Sequence, residues 1–564
     1  MNPKRIVIVG GVAGGASAAA RARRLSEDAE IIVLERGPHV SFANCGLPYF
    51  IGGEIGSRDS LLVQTPESLK ARFNLDVRPW TEALEIRAEA REVSTRNVRT
   101  GETSVLPYDA LVIATGASPV RPPIPGIDRP GHFVVRTVPD AERIQEWIVT
   151  RAARRAVVVG GGYIGLEMAE QLRLRGLDIS LVEALPQVMA PLDPEMAAPL
   201  QEELHNNGIR LHLGDGVSAF EAPELGEGDW ASVVLLKSGT RIPADLVILG
   251  LGVRPETGLA RSAGLKLGAT GGIAVDDQLR TSDPHIWAVG DAVEIRDPVT
   301  GSPGLIPLAG PANRQGRLAA DSIFGRPGHY GGTWGTAVLR VFSMTAACTG
   351  PNERALQRAG VRYQAVHLHP QSHAGYYPGA QPIALKILYA PDSGRLLGAQ
   401  AVGKDGVDKR IDVLATALQA GMTVDDLADL ELAYAPPVGS AKDPVNLAGM
   451  IAQNVRDGSM PVVQWHELGA HLAERAILLD VRTAPERAEG AIPGSRHIPL
   501  HDLRTRLAEL SADHDIVVHC ATGQRSYYAT RLLNHHGRRA FNLSGAFRTW
   551  KAAKDAGWIP SQTS

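Results

Sequence analysis

The sequence predicts an α/β fold in which short buried strands alternate with glycine-containing turns and helices. Three stretches indicate this fold: apolar strands at 6–9, 156–159 and 516–518 each run into a short turn and then into a helix. Closely spaced glycines form the first two turns, whereas the third turn follows a cysteine. A strand, a tight turn and a helix in succession are typical of parallel sheets covered by helices. The first two units predict two Rossmann-like domains, and the third predicts a separate α/β domain.

Length and composition limit the class of protein. A chain of 564 residues predicts roughly three to five domains. The formal net charge is −3, with 21% charged and 44% hydrophobic residues, which shows no global bias towards nucleic acid or an anionic membrane. Three widely separated cysteines do not form a disulfide framework, so we expect reduced thiols in the cytoplasm. We expect neither a signal peptide nor a membrane span, because no apolar run is long enough.

The first glycine-rich unit has the pattern of a dinucleotide-binding turn. Gly10, Gly14 and Gly15 lie between the first strand and an Ala/Arg-rich helix, and the next strand ends on Glu35. Glycines allow a pyrophosphate to approach the helix N-terminus, and the acidic residue can accept a hydrogen bond from a ribose hydroxyl. Val12 departs from the pattern, because it stands where the middle glycine of G-x-G-x-x-G usually lies. An ordinary glycine-rich turn is the alternative for this stretch alone.

The second unit matches the dinucleotide pattern in full. Gly160, Gly162 and Gly165 form a complete G-x-G-x-x-G motif, and the strand after the following helix ends on Glu183. Residues 184–186 supply no cation for a 2′-phosphate, so the sequence predicts a preference for NADH over NADPH. Two such units in one chain predict two bound dinucleotides.

A polar, turn-rich stretch after the first unit presents a cysteine. Cys45 lies within residues 41–49 and is one of only three cysteines in the chain. A buried thiol packed as a weak hydrophobe is the alternative. Two further apolar strands end in small or acidic residues, one in Thr115 and Gly116 and the other in Asp291.

Together these motifs resemble those of the two-dinucleotide flavoprotein disulfide reductases, from about residue 5 to residue 450. The resemblance implies that the first unit binds FAD with help from Thr115, Gly116 and Asp291, and that the second unit binds NADH. Most members carry a C-x-x-x-x-C redox disulfide, whereas this motif contains Cys45 alone. The chain is therefore similar to the single-cysteine branch, which includes coenzyme A disulfide reductases, NADH oxidases and NADH peroxidases.

The same resemblance implies a mechanism. NADH would pass a hydride to FAD, and the reduced flavin would deliver electrons to a disulfide between Cys45 and a substrate sulfur. Cys45 must then attack as the thiolate. Because a departing sulfur needs a proton, a general acid is also expected near this cysteine.

Residues 326–450 contain no third glycine motif and resemble the interface domain of these flavoproteins. Such proteins are homodimers in which this domain lends residues to the partner subunit's active site. The resemblance implies that the general acid is a tyrosine, and the candidates are Tyr376, Tyr377 and Tyr434. Packing of turns is the alternative for these tyrosines. Cys348 has no basic neighbour in the sequence and is expected to be a buried spectator.

Residues 462–564 resemble a single rhodanese domain. Cys520 ends a buried strand just before a helix, where the helix N-terminus lowers a thiol pKa and can stabilise a persulfide anion. Four residues separate Cys520 from Arg525, a shorter loop than in the related phosphatases, which favours sulfur over phosphate. Cys520 and Arg525 are the predicted catalytic residues of this domain. An inactive, rhodanese-like binding module is the alternative.

The substrate prediction depends on basic residues near the first unit. Arg21, Arg23 and Arg24 lie on its helix, and Lys70 lies downstream. A solvated basic helix face is the common explanation for such a pattern. In coenzyme A disulfide reductases, however, basic residues of this region contact the phosphates of coenzyme A, and arginine suits phosphate oxygens. The polar positions that match the family's substrate side are Ser41 and Asn44.

These observations combine into one functional hypothesis. The predicted domains are an FAD-binding domain in two parts (1–118 and 251–325), an NAD(P)H-binding domain (119–250), an α+β interface domain (326–450), a linker (451–461) and a rhodanese domain (462–564). The sequence predicts an NADH-dependent reductase of coenzyme A persulfide, polysulfide or coenzyme A disulfide, with no metal site, whose rhodanese handles sulfane sulfur. An NADH oxidase or peroxidase that cycles through a sulfenate on Cys45 is the alternative enzyme. A redox-responsive interaction protein is the alternative of another class.

Overall fold

The computed structural model describes residues 3–224 and 230–559. As far as they are described, the residues group into two compact units: Met1–Pro186 with Gly208–Gly335, and Gln187–Asn207 with Thr336–Ser564. Both units combine sheets and helices, so the predicted α/β fold class is confirmed. Within the described ranges, no helix is long and apolar enough to cross a membrane.

A five-stranded parallel sheet surrounds the first glycine-rich turn. With labels numbered along the chain, its strands in spatial order are β19 (Ile286–Ala288), β7 (Ala110–Ile113), β1 (Arg5–Val9), β2 (Glu30–Leu34) and β3 (Asp76–Arg78). The helices of this region are α1 (Ala13–Leu25), α2 (Leu47–Gly52), α3 (Pro66–Phe73) and α8 (Ala309–Ile323). Ile6 and Ile8 are fully buried against the small residues of α1 and α8. The β-branched run of β1 suits a strand that is covered on both faces.

A second five-stranded parallel sheet surrounds the second glycine-rich turn. Its strands in spatial order are β12 (Arg210–Leu213), β11 (Asp178–Glu183), β10 (Arg155–Val159), β16 (Leu246–Leu249) and β9 (His132–Phe133). Its helices are α4 (Val138–Thr150) and α5 (Tyr163–Leu174). The two sheets repeat one design, because each glycine-rich turn joins a central strand to a helix that packs back on the sheet.

Smaller sheets complete the first unit. One antiparallel sheet contains β4 (Thr81–Arg87), β5 (Glu92–Asn97) and β6 (Thr103–Pro107), and another contains β13 (Val217–Glu221), β14 (Ser232–Leu236) and β15 (Arg241–Ala244). Short pairings are formed by β8 (Ala117–Pro119) with β17 (Val253–Pro255), and by β20 (Val293–Arg296) with β18 (Ile273–Ala274) and β21 (Pro303–Gly304). One short helix, α7 (Gly258–Ser262), follows β17.

The second unit begins with an antiparallel sheet. Its strands in spatial order are β22 (Ala337–Val341), β23 (Met344–Thr349), β26 (Leu396–Gly403), β25 (Ile383–Tyr389) and β24 (Gln364–Leu368). Its helices are α6 (Pro194–Asn206), α9 (Glu353–Arg358), α10 (Val407–Ala420), α11 (Val424–Asp429) and α12 (Pro444–Arg456). Gln187–Asn207 belong to this unit, although the sequence boundaries assign them to the NADH-binding segment.

The C-terminal part of the second unit is a five-stranded parallel sheet. Its strands in spatial order are β27 (Val462–Val463), β31 (Ala540–Leu543), β30 (Ile516–His519), β28 (Ile477–Asp480) and β29 (Arg496–His497). Its helices are α13 (Leu468–Ala473), α14 (Ala484–Ala488), α15 (Leu500–Leu503), α16 (Gln524–His535) and α17 (Ala546–Asp555). The predicted linker at 451–461 needs a correction, because α12 continues to Arg456 with Ala448 and Ala452 buried. Only residues 457–461 connect this helix to the C-terminal sheet.

Candidate active sites

The first glycine-rich turn forms a tight cradle between β1 and α1. Gly10 has a φ of 100°, and a Cβ atom there would lie 2.2 Å from the carbonyl oxygen of Ala114. Glu35, just after β2, accepts hydrogen bonds from the backbone N–H of Gly11 at 3.0 Å and of Gly37 at 2.8 Å. The carboxylate is therefore held beside the turn, where it can also accept a ribose hydroxyl. These features fit the adenosine and pyrophosphate part of FAD.

The remaining glycines explain why Val12 is tolerated in this cradle. Gly14 and Gly15 lie in the first turn of α1, and a Cβ atom at Gly15 would lie 1.8 Å from the carbonyl oxygen of Gly10. Val12 has a φ of −99°, a backbone conformation that any residue adopts. A side chain is thus allowed at the middle position, whereas none fits at Gly10 or Gly15.

The second turn repeats this arrangement. Gly160 has a φ of 109°, and a Cβ atom at Gly165 would lie 1.9 Å from the carbonyl oxygen of Gly160. Gly162 faces open space, with no atom within 4 Å of an added Cβ, which leaves room for a phosphate. Glu183 accepts hydrogen bonds from the backbone N–H of Gly161 at 2.7 Å and of Leu185 at 2.8 Å. The donor and acceptor set fits a second dinucleotide.

The other residues predicted to contact FAD lie at strand ends of the first sheet. Asp291 follows β19 in a short 3-10 helix, and burial raises the pKa of its carboxyl group. Gly116 has a φ of 70° and faces open space, while the hydroxyl of Thr115 donates to the carbonyl oxygen of Glu256 at 2.7 Å. Carboxyl ends of parallel strands are where such folds bind ligands. These three positions therefore fit a flavin beside β7 and β19.

Cys45 lies in a 3-10 helix, Asn44–Gly46, that leads directly into α2. The residue is exposed as a whole, yet partial burial raises the pKa of its thiol, and the carboxylates of Glu167 and Asp291 raise it further. Ser41, at the start of the stretch, has a φ of 45°, and its backbone N–H donates to the carbonyl oxygen of Gly11 at 2.8 Å. The cysteine segment is thus tied to the first glycine-rich turn.

Glu167 is a site residue that the sequence analysis missed. It lies on α5, the helix that begins at the second glycine-rich turn, and the hydroxyl of Tyr49 donates to its carboxylate at 3.4 Å. Tyr49 belongs to α2, so α5 brings its acid close to the cysteine segment. A carboxylate two residues beyond the last glycine of the motif was the available signal, but periodicity alone does not show which side of α5 faces Cys45.

The basic residues predicted to bind coenzyme A separate into two groups. Arg23 needs a correction: it is only 4% exposed, and its guanidinium donates to the carbonyl oxygens of Ser26, Glu27, Phe73 and Asn74. Because the guanidinium N–H groups are bonded to backbone carbonyl oxygens, Arg23 stabilises the fold and is not available for a phosphate.

The other three basic residues are more accessible. Arg21 is half-buried and forms an ion pair with Asp321 at 2.6 Å. Because its charge already has a partner, Arg21 is a weaker candidate for a phosphate ligand. Lys70 is exposed and donates to the side chain of Asn74 at 2.6 Å. Arg24 and Asn44 are both exposed. Arg24 therefore stays the best candidate for a phosphate contact on α1.

Two of the three candidate tyrosines, Tyr376 and Tyr434, form a hydrogen bond with each other. The hydroxyl oxygens of Tyr376 and Tyr434 lie 2.9 Å apart, and this hydrogen bond raises the pKa of Tyr376. Tyr377 instead packs its ring against the edge of His373, with ring centroids 5.7 Å apart. Tyr376 is 77% exposed and Tyr434 is 46% exposed, so both hydroxyls can reach a second molecule.

Cys520 lies at the base of a loop between β30 and α16. Its Sγ atom accepts hydrogen bonds from the backbone N–H of Gly523 at 3.1 Å and from the hydroxyl of Ser526 at 3.4 Å. The residue is fully buried. Donors that converge on a sulfur at a helix N-terminus stabilise its anionic form.

Arg525, in the first turn of α16, has a fixed partner on α14. Its guanidinium donates to both carboxylate oxygens of Glu486, at 2.7 Å and 2.5 Å, and this pairing lowers the pKa of Glu486 to about 2. Glu486 also accepts from the backbone N–H of Thr483 at the start of α14. Glu486 and Ser526 were not predicted, although the spacing of Thr483 and Glu486 is that of a capping box.

A buried group of charges lies beneath the antiparallel sheet of the second unit. The carboxylates of Asp193, Glu195 and Glu353 are close enough together to hold a metal ion. However, the Nζ atom of Lys386 lies 2.8 Å from Asp193, 2.5 Å from Glu195 and 2.7 Å from Glu353. The lysine ammonium therefore stands where a cation would bind.

Comparison with known proteins shows the family. A family model described as pyridine nucleotide-disulphide oxidoreductase matches residues 4–316, its dimerisation domain matches 336–444, and a rhodanese-like domain matches 464–553. The chain belongs to the pyridine nucleotide-disulphide oxidoreductases and carries a C-terminal rhodanese-like domain.

Three proteins show which members of the family are similar. The chain is 36% identical to a coenzyme A disulfide reductase of Staphylococcus epidermidis, over 80% of this chain and 100% of that protein. The crystal structure of reduced Bacillus anthracis CoADR-RHD has 49% identity and a TM-score of 0.96, and 99% of each chain is covered. A NAD-dependent persulfide reductase from A. fulgidus has 40% identity and a TM-score of 0.90, with 97% of this chain and 100% of that chain covered.

Proposed function

We propose that this protein is an FAD-dependent oxidoreductase that uses NADH to reduce coenzyme A persulfide, polysulfide or coenzyme A disulfide, with a rhodanese that handles sulfane sulfur. The observation that supports it best is the place of Cys45. This thiol lies in the 3-10 helix just before α2, and α2 packs against α5 of the second dinucleotide cradle. The fused C-terminal domain adds a second sulfur centre, which an NADH oxidase or peroxidase does not need.

The proposed reaction at Cys45 balances with NADH as the reductant. The Cys45 thiolate attacks the coenzyme-A-bound sulfur of a coenzyme A persulfide, which forms a Cys45–coenzyme A disulfide and releases hydrosulfide. Two electrons from NADH then reduce this disulfide to the two thiolates. Bound FAD would relay the two electrons of NADH to the disulfide. The residues proposed to hold FAD are Gly10, Gly14, Gly15, Glu35, Thr115, Gly116 and Asp291, and those proposed for NADH are Gly160, Gly162, Gly165 and Glu183.

A proton donor is required where the sulfur leaves. We assign this role to the hydrogen-bonded pair of Tyr376 and Tyr434, which is exposed on the dimerisation domain. In a homodimer the pair would act at the partner subunit's active site. Arg24 and Lys70 are proposed to contact the phosphates of coenzyme A, with Ser41 and Asn44 on the substrate side.

The test is to find which acceptor oxidises the NADH-reduced enzyme fastest without oxygen. Coenzyme A persulfide, inorganic polysulfide and coenzyme A disulfide are compared with hydrogen peroxide, and oxygen is tested separately. We expect a sulfur acceptor to be fastest. Faster turnover with oxygen or peroxide would instead identify an oxidase or peroxidase. If no acceptor is turned over and Cys520 accepts no sulfur, the chain is an interaction protein.

A further inference from the structure

β24 is an edge strand of the antiparallel sheet, and residues of the rhodanese-like domain cover its outer edge. The Nε2 atom of Gln464 donates to the carbonyl oxygen of Ala365 at 2.9 Å, and the backbone N–H of His367 donates to the hydroxyl oxygen of Ser544 at 3.2 Å. Ala365 and His367 are two positions apart, so their free backbone groups point to the same side of the strand. Side chains of the C-terminal domain thus satisfy an edge that would otherwise be unpaired.

The side chain of His367 bonds in two directions. Its Nδ1 atom lies 3.1 Å from the hydroxyl oxygen of Ser544, and its Nε2 atom lies 2.9 Å from a carboxylate oxygen of Glu195. An Nε2–H tautomer satisfies every group: the ring donates to Glu195, and Ser544 donates to Nδ1 while accepting from the backbone N–H. Lys386, directly opposite His367 on β25, holds Glu195 in place. His367, Ser544 and Glu195 are all buried.

A second histidine makes a parallel contact. The Nε2 atom of His369 lies 2.8 Å from the hydroxyl oxygen of Thr549, and burial lowers the pKa of His369 to about 3, so the ring is neutral. Gly545 has no room for a side chain here, because a Cβ atom would lie 2.0 Å from Thr549 Oγ1 and 2.9 Å from His367 Cβ. The segment 544–549, which runs from the end of β31 into α17, therefore fits closely against β24.

The opposite side of the same segment supports the turn that contains Cys520. The backbone N–H of Phe547 donates to the carbonyl oxygen of Cys520 at 3.1 Å, and the backbone N–H of Arg548 donates to that of Ala521, also at 3.1 Å. This segment thus connects the two histidines to the cysteine turn through hydrogen bonds on both of its sides. In the other direction, β24 continues into the hairpin that carries Tyr376, which is closed by the backbone hydrogen bond from Ser372 to Gln381 at 2.7 Å.

We infer that His367 and His369 are positioning residues, which hold the Cys520 turn against β24. The hairpin that follows β24 carries Tyr376, which pairs with Tyr434. This inference rests on the proposed function. The rhodanese sulfur centre is then fixed on the dimerisation domain, and sulfur leaves it on a mobile thiol. Coenzyme A thiolate attacks the outer sulfur of the Cys520 persulfide, which forms coenzyme A persulfide, breaks the Cys520 S–S bond and leaves Cys520 as the thiolate. The position of the turn therefore determines how well the coenzyme A thiol aligns with the Cys520 persulfide.

The test removes the two hydroxyls that the histidines hold. Ser544→Ala and Thr549→Val are made singly and together in the full-length enzyme. The matched control combines Ser511→Ala with Thr505→Val in the same domain, whose hydroxyls bond to residues two or three positions away, Asp513 and Asp502. Three rates are measured: sulfur loading of Cys520 from an organic persulfide, NADH oxidation with preformed coenzyme A persulfide, and NADH oxidation that starts from the Cys520 persulfide plus coenzyme A. Hydrogen exchange reports the amides of 364–369 and 519–526.

We expect the coupled rate, which starts from the Cys520 persulfide plus coenzyme A, to fall about tenfold in the double variant, as for one or two lost hydrogen bonds. The other two rates should stay within about twofold of the wild-type rates. Amide exchange should rise in both segments, and the control should match the wild type. The inference is wrong if the coupled rate is unchanged, if exchange is unchanged, or if loading of Cys520 falls as far as the coupled rate. If the wild type does not reduce coenzyme A persulfide, the proposed function fails, and exchange at 519–526 still decides whether the histidines position the turn.

Discussion

The hydroxyl oxygens of Tyr376 and Tyr434 lie 2.9 Å apart, although 58 positions separate the two residues in the chain. One hydroxyl donates to the other, so only one of the two protons is free for a substrate. Because the hydrogen bond raises the pKa of Tyr376, this phenol stays protonated to a higher pH than an isolated tyrosine. The pair is thus suited to keep a general acid protonated under alkaline conditions.

Tyr434→Phe should narrow the pH range of reduction. Without its partner, the pKa of Tyr376 falls towards the ordinary value, so the alkaline limb of the kcat/KM profile moves to lower pH. Tyr376→Phe and Tyr434→Phe together should lower kcat about 100-fold, the usual effect of losing a general acid. Tyr377→Phe is the control, because its ring packs on His373. A full loss with Tyr377→Phe alone would reassign the donor.

Glu167→Gln should lower the pKa of the Cys45 thiol. The Glu167 carboxylate disfavours the thiolate, so its neutral amide moves the midpoint of thiol alkylation against pH to a lower value. Glu146→Gln, an exposed change on α4, is the control. The prediction fails if the alkylation midpoint is the same in Glu167→Gln and in the wild type.

Glu183 should make the enzyme prefer NADH. Its carboxylate is held beside the second glycine-rich turn by two backbone hydrogen bonds and repels a 2′-phosphate. We expect NADH to exceed NADPH in kcat/KM, and Glu183→Gln to reduce that preference about tenfold. Glu35→Gln, at the matching position of the first turn, should leave the ratio unchanged. Equal kcat/KM values for the two nucleotides in the wild type would contradict this.

The two cysteines should divide the chemistry. Cys45→Ser is expected to abolish reduction of coenzyme A persulfide or disulfide while FAD stays bound. Cys520→Ser should remove sulfur acceptance by the rhodanese-like domain and keep most of the reduction of preformed coenzyme A persulfide. Cys348→Ser, in the buried strand β23, should change neither. A loss of preformed persulfide reduction in Cys520→Ser as complete as in Cys45→Ser would show that there is no such division.

Arg24 should matter for coenzyme A substrates alone. Arg24→Ala is expected to raise KM for coenzyme A persulfide about tenfold, since a lost charge-assisted hydrogen bond costs about 1.5–3 kcal/mol, and to leave inorganic polysulfide unaffected. Arg23→Ala should instead lower thermal stability, because its guanidinium supports four backbone carbonyl groups. An equal loss with both acceptors in Arg24→Ala would assign that arginine to the fold as well.

Short-range chemistry in the sequence was enough to predict much of this protein. The positions of Gly10 and Gly160, each needed because a side chain would strike a backbone oxygen, identify the two cradles. Glu35 and Glu183 follow from strand ends, and Cys520 follows from its place before a helix. Each of these signals depends on a backbone conformation or a terminus that a few neighbouring residues determine.

Only the tertiary structure decided which side chains meet. Arg23 and Arg24 are adjacent in the sequence, yet Arg23 is buried and donates to backbone carbonyl groups, whereas Arg24 is exposed. The reason is that successive helical residues point about 100° apart. The pairing of Tyr376 with Tyr434 and the contacts of His367 with Glu195 and Ser544 join distant segments. Such contacts depend on how sheets and helices pack, and packing is a property of the whole folded chain that local periodicity does not encode.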